Sequence, residues 1–297
     1  MSLANEAFYS VATAAAKCLH NLRAPARQAE VRSFGPDPNQ KFIVYSPEKV
    51  LHPEIVFYFH GGGYFIGRPE SMAIAADCFG AQGYRLVSVG FRHMPRFPFP
   101  AQIEDVFTGS AAALACLEKE GIPAGRIIPA GNSAGGHAAA MLALDRKRCL
   151  RYGIDPARIA ALISVAGALS AEAFGCTKGD RAGASRCIRL PPDESMADYS
   201  PIDLICPDTV IPALCINGAW DRIIPPSTAS AFVERLNSAA RGISDSAPPP
   251  GELLILPERK YQHIRLTAGL FAEDYAASKI QRAIFDFLAR HEGGSQH

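Results

Sequence analysis

Several features are scarce or missing in this sequence, and each absence narrows the class of protein. The eight cysteines include no C-x-x-C pair and no His/Cys cluster, so neither a zinc site nor a disulfide scaffold is indicated. The 30 Lys and Arg residues balance 29 Asp and Glu residues, which gives no electrostatic reason to expect binding to nucleic acid or to an anionic membrane. The sequence therefore predicts small-molecule or protein partners, without a metal ion.

Long apolar runs are missing as well. No stretch approaches the ~20 residues that a transmembrane helix needs, and the N-terminus lacks the basic start and long apolar centre of a signal peptide. We therefore expect no membrane span, a cytoplasmic location and reduced cysteines, with a Cys176–Cys187 pair left open. Residues 1–22 have apolar side chains at helical spacing, which predicts an N-terminal amphipathic helix.

Short apolar or β-branched runs alternate with longer helical patterns along the chain. Strands are predicted at 41–46, 54–60, 84–91, 126–132, 159–167, 211–218 and 252–257. Helices are predicted at 69–83, 101–121, 133–149, 226–242 and around 275–291. This alternation predicts one α/β domain over 1–297, with a doubly wound, mostly parallel sheet covered by helices on both faces.

Residues 169–200 interrupt the alternation. The segment is rich in Gly, Ser, Pro and charge, and it is longer than an ordinary connection in a compact domain. In a doubly wound sheet the ligand lies beyond the carboxyl ends of the strands, so a long insertion emerging there is a candidate lid. The alternative is a surface loop without a role in the site.

A G-x-S-x-G pattern lies between a predicted strand and a predicted helix. It is formed by Gly131, Ser133 and Gly135. On a strand-to-helix turn this pattern is typical of a nucleophile elbow, which needs glycine on both sides because flanking side chains would collide. The turn would project the Ser133 hydroxyl above the sheet, where it can attack a substrate.

A second glycine-rich stretch follows the predicted strand at 54–60, in "YFHGGGYFIG". Acyl-transfer enzymes of this architecture place backbone N–H donors for an oxyanion at this point, and glycines let the main chain approach a substrate closely. The predicted donors are the amides of Gly62, Gly63 and Ala134. The alternative is a glycine-rich turn without chemical use; the pattern is not that of a phosphate-binding loop.

A serine hydroxyl is a poor nucleophile until a base removes its proton. In this fold the chain order is Ser, then the acid, then His. His263 follows the predicted strand at 252–257 and is the candidate base, and Asp221 follows the strand at 211–218 and is the candidate acid. Solvated or turn-forming positions are the alternatives for both. His137 lies on the same predicted helix as Ser133 and is interpreted as a packing residue, and His60 as a brace for the glycine loop.

These motifs resemble those of the α/β-hydrolase superfamily. "HGGGYFIG", "GNSAGG" and "FRHMPRFPFPAQIED" resemble blocks of the hormone-sensitive-lipase-like esterases, although Phe91 stands where that family has tyrosine. The segment 199–236, together with "GNSAGGHAAAML", is similar to bacterial feruloyl-esterase-like and arylformamidase-like relatives. The resemblance covers about residues 40–290 and implies an eight-stranded α/β-hydrolase fold.

The resemblance also implies an activity. It points to a carboxylesterase for small acyl or aryl esters that uses no cofactor, with Ser133, Asp221 and His263 as triad and Gly62, Gly63 and Ala134 as oxyanion hole. Tyr64 and Phe65 are expected to shape the substrate pocket. An arylformamidase-like amide hydrolase and, more remotely, a noncatalytic ligand receptor on the same fold are alternatives. The oligomeric state, including a homodimer, is left open.

Overall fold

The computed structural model describes residues 27–174, 187–244, 248–272 and 278–291. Its strands are β1 (Arg27–Ser33), β2 (Lys41–Pro47), β3 (Ile55–Phe59), β4 (Arg85–Val89), β5 (Ile127–Asn132), β6 (Leu162–Val165), β7 (Ala213–Gly218) and β8 (Gly251–Leu256). They form one sheet in the order β1-β2-β4-β3-β5-β6-β7-β8. The pairings of β2 with β1 and β4 are antiparallel and the others are parallel, so the predicted eight-stranded, mostly parallel sheet is confirmed.

Helices cover both faces of this sheet. They are α1 (Ala73–Ala81), α2 (Ala101–Lys119), α3 (Ala134–Leu144), α4 (Arg146–Arg151), α5 (Pro226–Arg241), α6 (His263–Ala272) and α7 (Lys279–His291). Side chains alternate along β3: Phe57 and Phe59 join a core with α2, α3 and α5, whereas Val56 and Tyr58 join a second core with α1 and α7. Within the described ranges, no helix combines the length and the apolar character that crossing a bilayer requires.

Strand β1 was not among the predicted strands. Its side chains from position 29 to 33 are exposed, including Val31 at 54%. It lies at the edge of the sheet and pairs only with β2. Because the side chains at 29–33 are exposed on both faces of the strand, this part of the sequence carries no apolar alternation that would predict it.

Two helices also differ from the prediction. The helix predicted at 133–149 is divided at Asp145, whose backbone (φ −82°, ψ 78°) is not helical and whose carboxylate accepts a hydrogen bond from the Arg148 amide at 2.9 Å. This aspartate therefore begins α4 as an N-cap. Helix α6 was not predicted; it begins at His263, which the sequence placed in a loop.

The predicted N-terminal helix at about 1–22 lies outside the described residues, as do 175–186 of the predicted lid, including Cys176. The described end of the lid packs against α4: Arg148 donates from Nη2 to Glu194 at 2.9 Å and from Nη1 to the Asp198 carbonyl at 3.0 Å. Its guanidinium also lies 4.2 Å from the centre of the Tyr199 ring. The segment at 187–200 is thus attached next to the helix that follows Ser133, and its role as a lid stays a prediction.

Candidate active site

Ser133 occupies a sharp turn between β5 and α3. Its backbone has φ 55° and ψ −122°, a conformation that non-glycine residues rarely adopt. The Ser133 amide donates to the Val165 carbonyl of β6 at 2.9 Å, which holds the turn against the neighbouring strand. A strained backbone conformation of this kind is kept only where surrounding contacts hold it in place, and such conformations are common at functional sites.

The two glycines of the G-x-S-x-G pattern are required by this turn. A Cβ atom on Gly131 would lie 2.2 Å from the Gly135 carbonyl oxygen, and one on Gly135 would lie 2.0 Å from the Phe59 carbonyl oxygen. Both clashes are with backbone atoms, so no side-chain rotation relieves them. The expected need for glycine on both sides of Ser133 is confirmed.

The structure brings Ser133, His263 and Asp221 into one hydrogen-bonded series. The Ser133 hydroxyl and His263 Nε2 are 2.8 Å apart, and His263 Nδ1 and Asp221 Oδ2 are 2.7 Å apart. The other carboxylate oxygen of Asp221 accepts hydrogen bonds from the amides of Ile223 and Ile224, each at 2.9 Å. All three side chains are buried, and the turn bonds and the histidine contact together fix the orientation of the carboxylate.

Parallel strands bring these three residues to one edge of the sheet. Ser133 follows β5, Asp221 follows β7 and His263 follows β8, and the carboxyl ends of parallel strands meet at the same edge. A Cβ atom on Gly218 would lie 1.8 Å from the Tyr261 carbonyl oxygen. The segment that leads to His263 therefore crosses directly over the end of β7, which places the imidazole beside Asp221.

The glycine loop lies next to Ser133. A Cβ atom on Gly61 would lie 3.3 Å from Ser133 Cβ, and Gly62 and Gly63 have φ values of 117° and 63°, which favour glycine. In the part of the chain that the structure describes, the amides of Gly62, Gly63 and Ala134 have no hydrogen-bond acceptor. These amides are thus available to a bound oxyanion.

His137 is a packing residue, as its position on α3 indicated. It accepts a hydrogen bond from the Tyr64 hydroxyl at Nδ1 (2.7 Å) and donates from Nε2 to the Tyr199 carbonyl (2.8 Å). Burial lowers the pKa of His137 to about 4, which keeps the ring neutral. Tyr64 has no exposed surface, so its side chain supports the glycine loop from inside the protein, whereas Phe65 is only half-buried.

His60 supports the same loop. Its Nδ1 donates to the Gly61 carbonyl at 2.8 Å, and its ring stacks on Phe91 with centroids 4.2 Å apart. Burial lowers the pKa of His60 to about 4. Both contacts fit the predicted bracing role.

A cavity of about 330 Å³ adjoins His263 and was not foreseen from the sequence. Its wall comes from the turn after β7 and the start of α6. A sequence pattern within one of these segments does not indicate that the two segments share a cavity.

Across the described ranges, no group of three His, Cys, Asp or Glu side chains is placed to hold a metal ion.

Comparison with known families extends these observations. The BD-FAE family model matches residues 43–236, which is more than half of the 297 residues. The chain belongs to the BD-FAE family. The matched region contains the glycine loop, Ser133 and Asp221, and it ends before His263, whose place in the site is known from the structure alone.

This BD-FAE family member has curated relatives with which it shares part of its sequence. It is 30% identical over 223 residues to Esterase LipC of Mycobacterium tuberculosis, covering 70% of this chain and 55% of LipC. It is 36% identical over 108 residues to an acetyl-hydrolase of Streptomyces hygroscopicus, covering 36% of this chain and 33% of that protein. The chain thus spans about a third to about half of the length of these relatives.

Solved structures show the same fold for the BD-FAE family member. The carboxylesterase EstE1, from a metagenomic library, superposes with a TM-score of 0.73 at 17% identity and covers 98% of this chain and 100% of its own. Esterase B from Lactobacillus rhamnosis gives a TM-score of 0.70 at 17% identity, covering 96% and 94%. The predicted α/β-hydrolase fold is therefore confirmed.

Proposed function

We propose that this chain is a carboxylic ester hydrolase that works through an acyl-enzyme on Ser133. The observation that supports this most directly is the series of hydrogen bonds from the Ser133 hydroxyl through His263 to Asp221. A serine hydroxyl is a weak nucleophile until an adjacent base removes its proton, and this series provides that base and its orienting acid. The names of the relatives, an esterase and an acetyl-hydrolase, agree with this activity.

In the proposed first step, Ser133 Oγ attacks the ester carbonyl carbon while His263 Nε2 accepts the hydroxyl proton. The carbonyl π electrons move to oxygen, and this oxyanion accepts hydrogen bonds from the amides of Gly62, Gly63 and Ala134. Asp221 stabilises the imidazolium through the bond at Nδ1. The protonated His263 then gives its proton to the leaving alcohol oxygen as the ester C–O bond breaks.

In the second step, water hydrolyses the acyl-enzyme. His263 accepts a proton from the water, the resulting hydroxide attacks the acyl carbon, and the same amides hold the oxyanion. When this intermediate collapses, the proton returns from His263 to Ser133 Oγ and the carboxylic acid is released. The substrate class we propose is small acyl or aryl esters, with Phe65 contributing to the pocket wall because part of its side chain is exposed.

The test compares wild type with Ser133→Ala on p-nitrophenyl acetate. We expect the variant to lose roughly 10⁴-fold or more of kcat/KM, since the nucleophile is removed. Ser164→Ala is the matched control: Ser164 is a buried serine on the neighbouring strand β6, outside the hydrogen-bonded series, and its replacement should leave activity near wild type. Equal activity of wild type and Ser133→Ala would reject the proposal.

Two further measurements separate the alternatives. A fluorophosphonate probe should label Ser133, whereas a noncatalytic receptor would stay unlabelled. Turnover of p-nitrophenyl acetate should exceed that of N-formylkynurenine, and the reverse order would favour an arylformamidase-like amide hydrolase.

The cytoplasmic location, the homodimer and the lack of nucleic-acid binding stay predictions. Fractionation of cells that produce the protein tests the location, and sedimentation of the purified chain tests the dimer. A small-molecule ester is the partner that the proposed mechanism requires.

A further inference from the structure

The cavity beside His263 has a strongly cationic wall. It lies between the turn that follows β7 and the first turn of α6, and it has a volume of about 330 Å³. Four exposed cationic side chains line it: Arg222, Arg259, Lys260 and Arg265. His263 lines the same cavity, and its Nε2 contacts the Ser133 hydroxyl, so the cavity adjoins the candidate base.

Among the residues that the structure describes, neighbouring acids do not neutralise these cations. The acidic residues of the same two loops have other partners: Asp221 bonds His263, and Glu258 forms an ion pair with Lys279. Within the described ranges, no carboxylate forms an ion pair with any of the four cations. The described wall of the cavity therefore carries an unbalanced positive charge, which favours an anion.

Two of the four cations have their charged groups over aromatic rings. The Arg259 guanidinium lies 4.4 Å from the centre of the Trp220 ring, and Lys260 Nζ lies 4.8 Å from that of Tyr261. Cation–π contacts leave the charge intact, so both cations remain able to attract an anion.

The start of α6 adds to the positive electrostatic potential in the cavity. This ten-residue helix begins at His263, and Gln262, His263 and Ile264 belong to the cavity wall. The first amides of a helix lack helical acceptors, and the helix dipole is positive at this end. The backbone and the side chains thus favour the same sign of charge in the cavity.

The proposed mechanism decides which part of a substrate lies there. The carbonyl oxygen must lie at the amides of Gly62, Gly63 and Ala134, and the leaving oxygen must lie within reach of His263 Nε2 because it receives the proton. The alcohol portion of the ester is therefore on the imidazole side of Ser133, which is the side of the cationic cavity.

We propose that the preferred substrates are esters whose alcohol portion carries an anionic group, a carboxylate, sulfonate or phosphate, bound in the cavity lined by Arg222, Arg259, Lys260 and Arg265. This inference rests on the proposed function. The anionic group is not itself changed in the reaction, and it departs with the alcohol.

The test uses acetate esters of para-substituted phenols whose leaving groups differ in charge. These are 4-acetoxybenzoate and 4-acetoxybenzenesulfonate, which are anionic, and 4-acetoxybenzamide, which is neutral. The measured quantity is the ratio of kcat/KM for an anionic ester to that for the neutral ester. The double variant Arg222→Gln/Arg265→Gln should lower this ratio by about 2- to 25-fold relative to wild type, because each of the two exposed charge contacts changes binding by about 1.5- to 5-fold. Comparing variants by their ratio cancels the intrinsic reactivity of each leaving group.

Arg235→Gln is the matched control. Arg235 is an exposed arginine of α5, roughly 14 Å along the helix from its first residue Pro226, and its replacement should leave the ratio unchanged. Raising NaCl from about 0.05 M to about 0.5 M should lower the ratio in wild type, because exposed charges are screened. The salt experiment needs no variant and still tests the proposal if the double variant does not fold.

The outcomes separate this inference from the proposed function. The cationic subsite would be overturned if the ratio were the same in wild type and the double variant and did not change with salt. In that case Ser133-dependent hydrolysis of all three esters would still support the esterase proposal. A fall with the carboxylate and the sulfonate alike would support recognition of charge, and a fall with only one of them would assign the subsite to that group. Absence of hydrolysis of every ester by wild type would reject the esterase proposal and this inference with it.

Discussion

Acidification should destabilise this protein through two buried histidines. Burial lowers the pKa of both His60 and His137 to about 4. In the unfolded chain the pKa of histidine is about 6.5. The unfolded state therefore binds protons that the folded state does not, so the free energy of unfolding is highest above pH ~6.5 and decreases as the pH falls toward ~4.

The size of this effect follows from the two pKa values. The difference between a pKa of about 6.5 in the unfolded chain and one of about 4 in the folded protein corresponds to about 3 kcal/mol for each histidine, and this full loss is reached only at a pH below about 4. Between about pH 7.5 and about pH 5, each histidine accounts for about 2 kcal/mol of that loss. The pair together should remove about 4 kcal/mol, a large fraction of the 5–15 kcal/mol that is typical of folded proteins.

Urea unfolding at the two pH values measures this loss, with the midpoint and slope giving the free energy of unfolding. His137→Gln should be less stable than wild type near neutral pH, and should lose about 2 kcal/mol less on acidification because one titrating group is gone. Tyr64→Phe is the matched control: it removes the hydroxyl that bonds His137 but keeps the buried ring, so the pH-dependent loss should persist. The reasoning is refuted if His137→Gln loses as much stability as wild type on acidification.

Two substitutions at the candidate site have equally defined outcomes. Gly135→Ala places a Cβ atom 2.0 Å from the Phe59 carbonyl oxygen, so it should destabilise the fold by about 3 kcal/mol and abolish ester hydrolysis. In the control variant Gly125→Ala no atom lies within 4 Å of the added Cβ, so stability and activity should not change. A stable and active Gly135→Ala variant would contradict the geometry of the turn at Ser133. Asp221→Asn can still accept the two turn hydrogen bonds but presents an amide to His263, so we expect kcat/KM to fall roughly 10³- to 10⁴-fold with little change in stability. Asp208→Asn, at an exposed aspartate, should keep full activity, and an Asp221→Asn enzyme as active as this control would remove Asp221 from the proposed mechanism.

The central strands could be predicted because they are buried on both faces. Every residue of β3 is buried, so its sequence is a continuous apolar run, and β7 is similar. β1 is held by backbone pairing with β2 while its side chains face solvent, so it lacks such a run. Helix boundaries are similarly hard to predict at position 145. Residues 133–149 have the apolar spacing of a single helix, and only the non-helical backbone of Asp145 divides it into α3 and α4.

What the sequence determined by itself is the local chemistry of the two glycine motifs. A strand, a glycine, a serine and a second glycine before a helix indicate the turn at Ser133. The nearest clash at Gly131 is with Gly135, a neighbour in the chain, whereas the clash at Gly135 is with Phe59, so the need for the second glycine comes from the packing of α3 against β3. The sequence also indicated Asp221 and His263 as candidates, through their positions after two strands. Whether their side chains meet Ser133 depends on the order of β5 to β8 in the sheet and on the path of the chain over Gly218.

Only the tertiary structure decided how distant segments share surfaces. The structure buries Tyr64 against His137, whereas the sequence analysis expected Tyr64 to shape the substrate pocket. The structure also brings Arg222 into one cavity with Arg259, Lys260 and Arg265. The physical reason is that periodicity reports which face of a single element is buried. Contacts between loops depend on the packing of the strands that carry them, and no pattern within either loop encodes that packing.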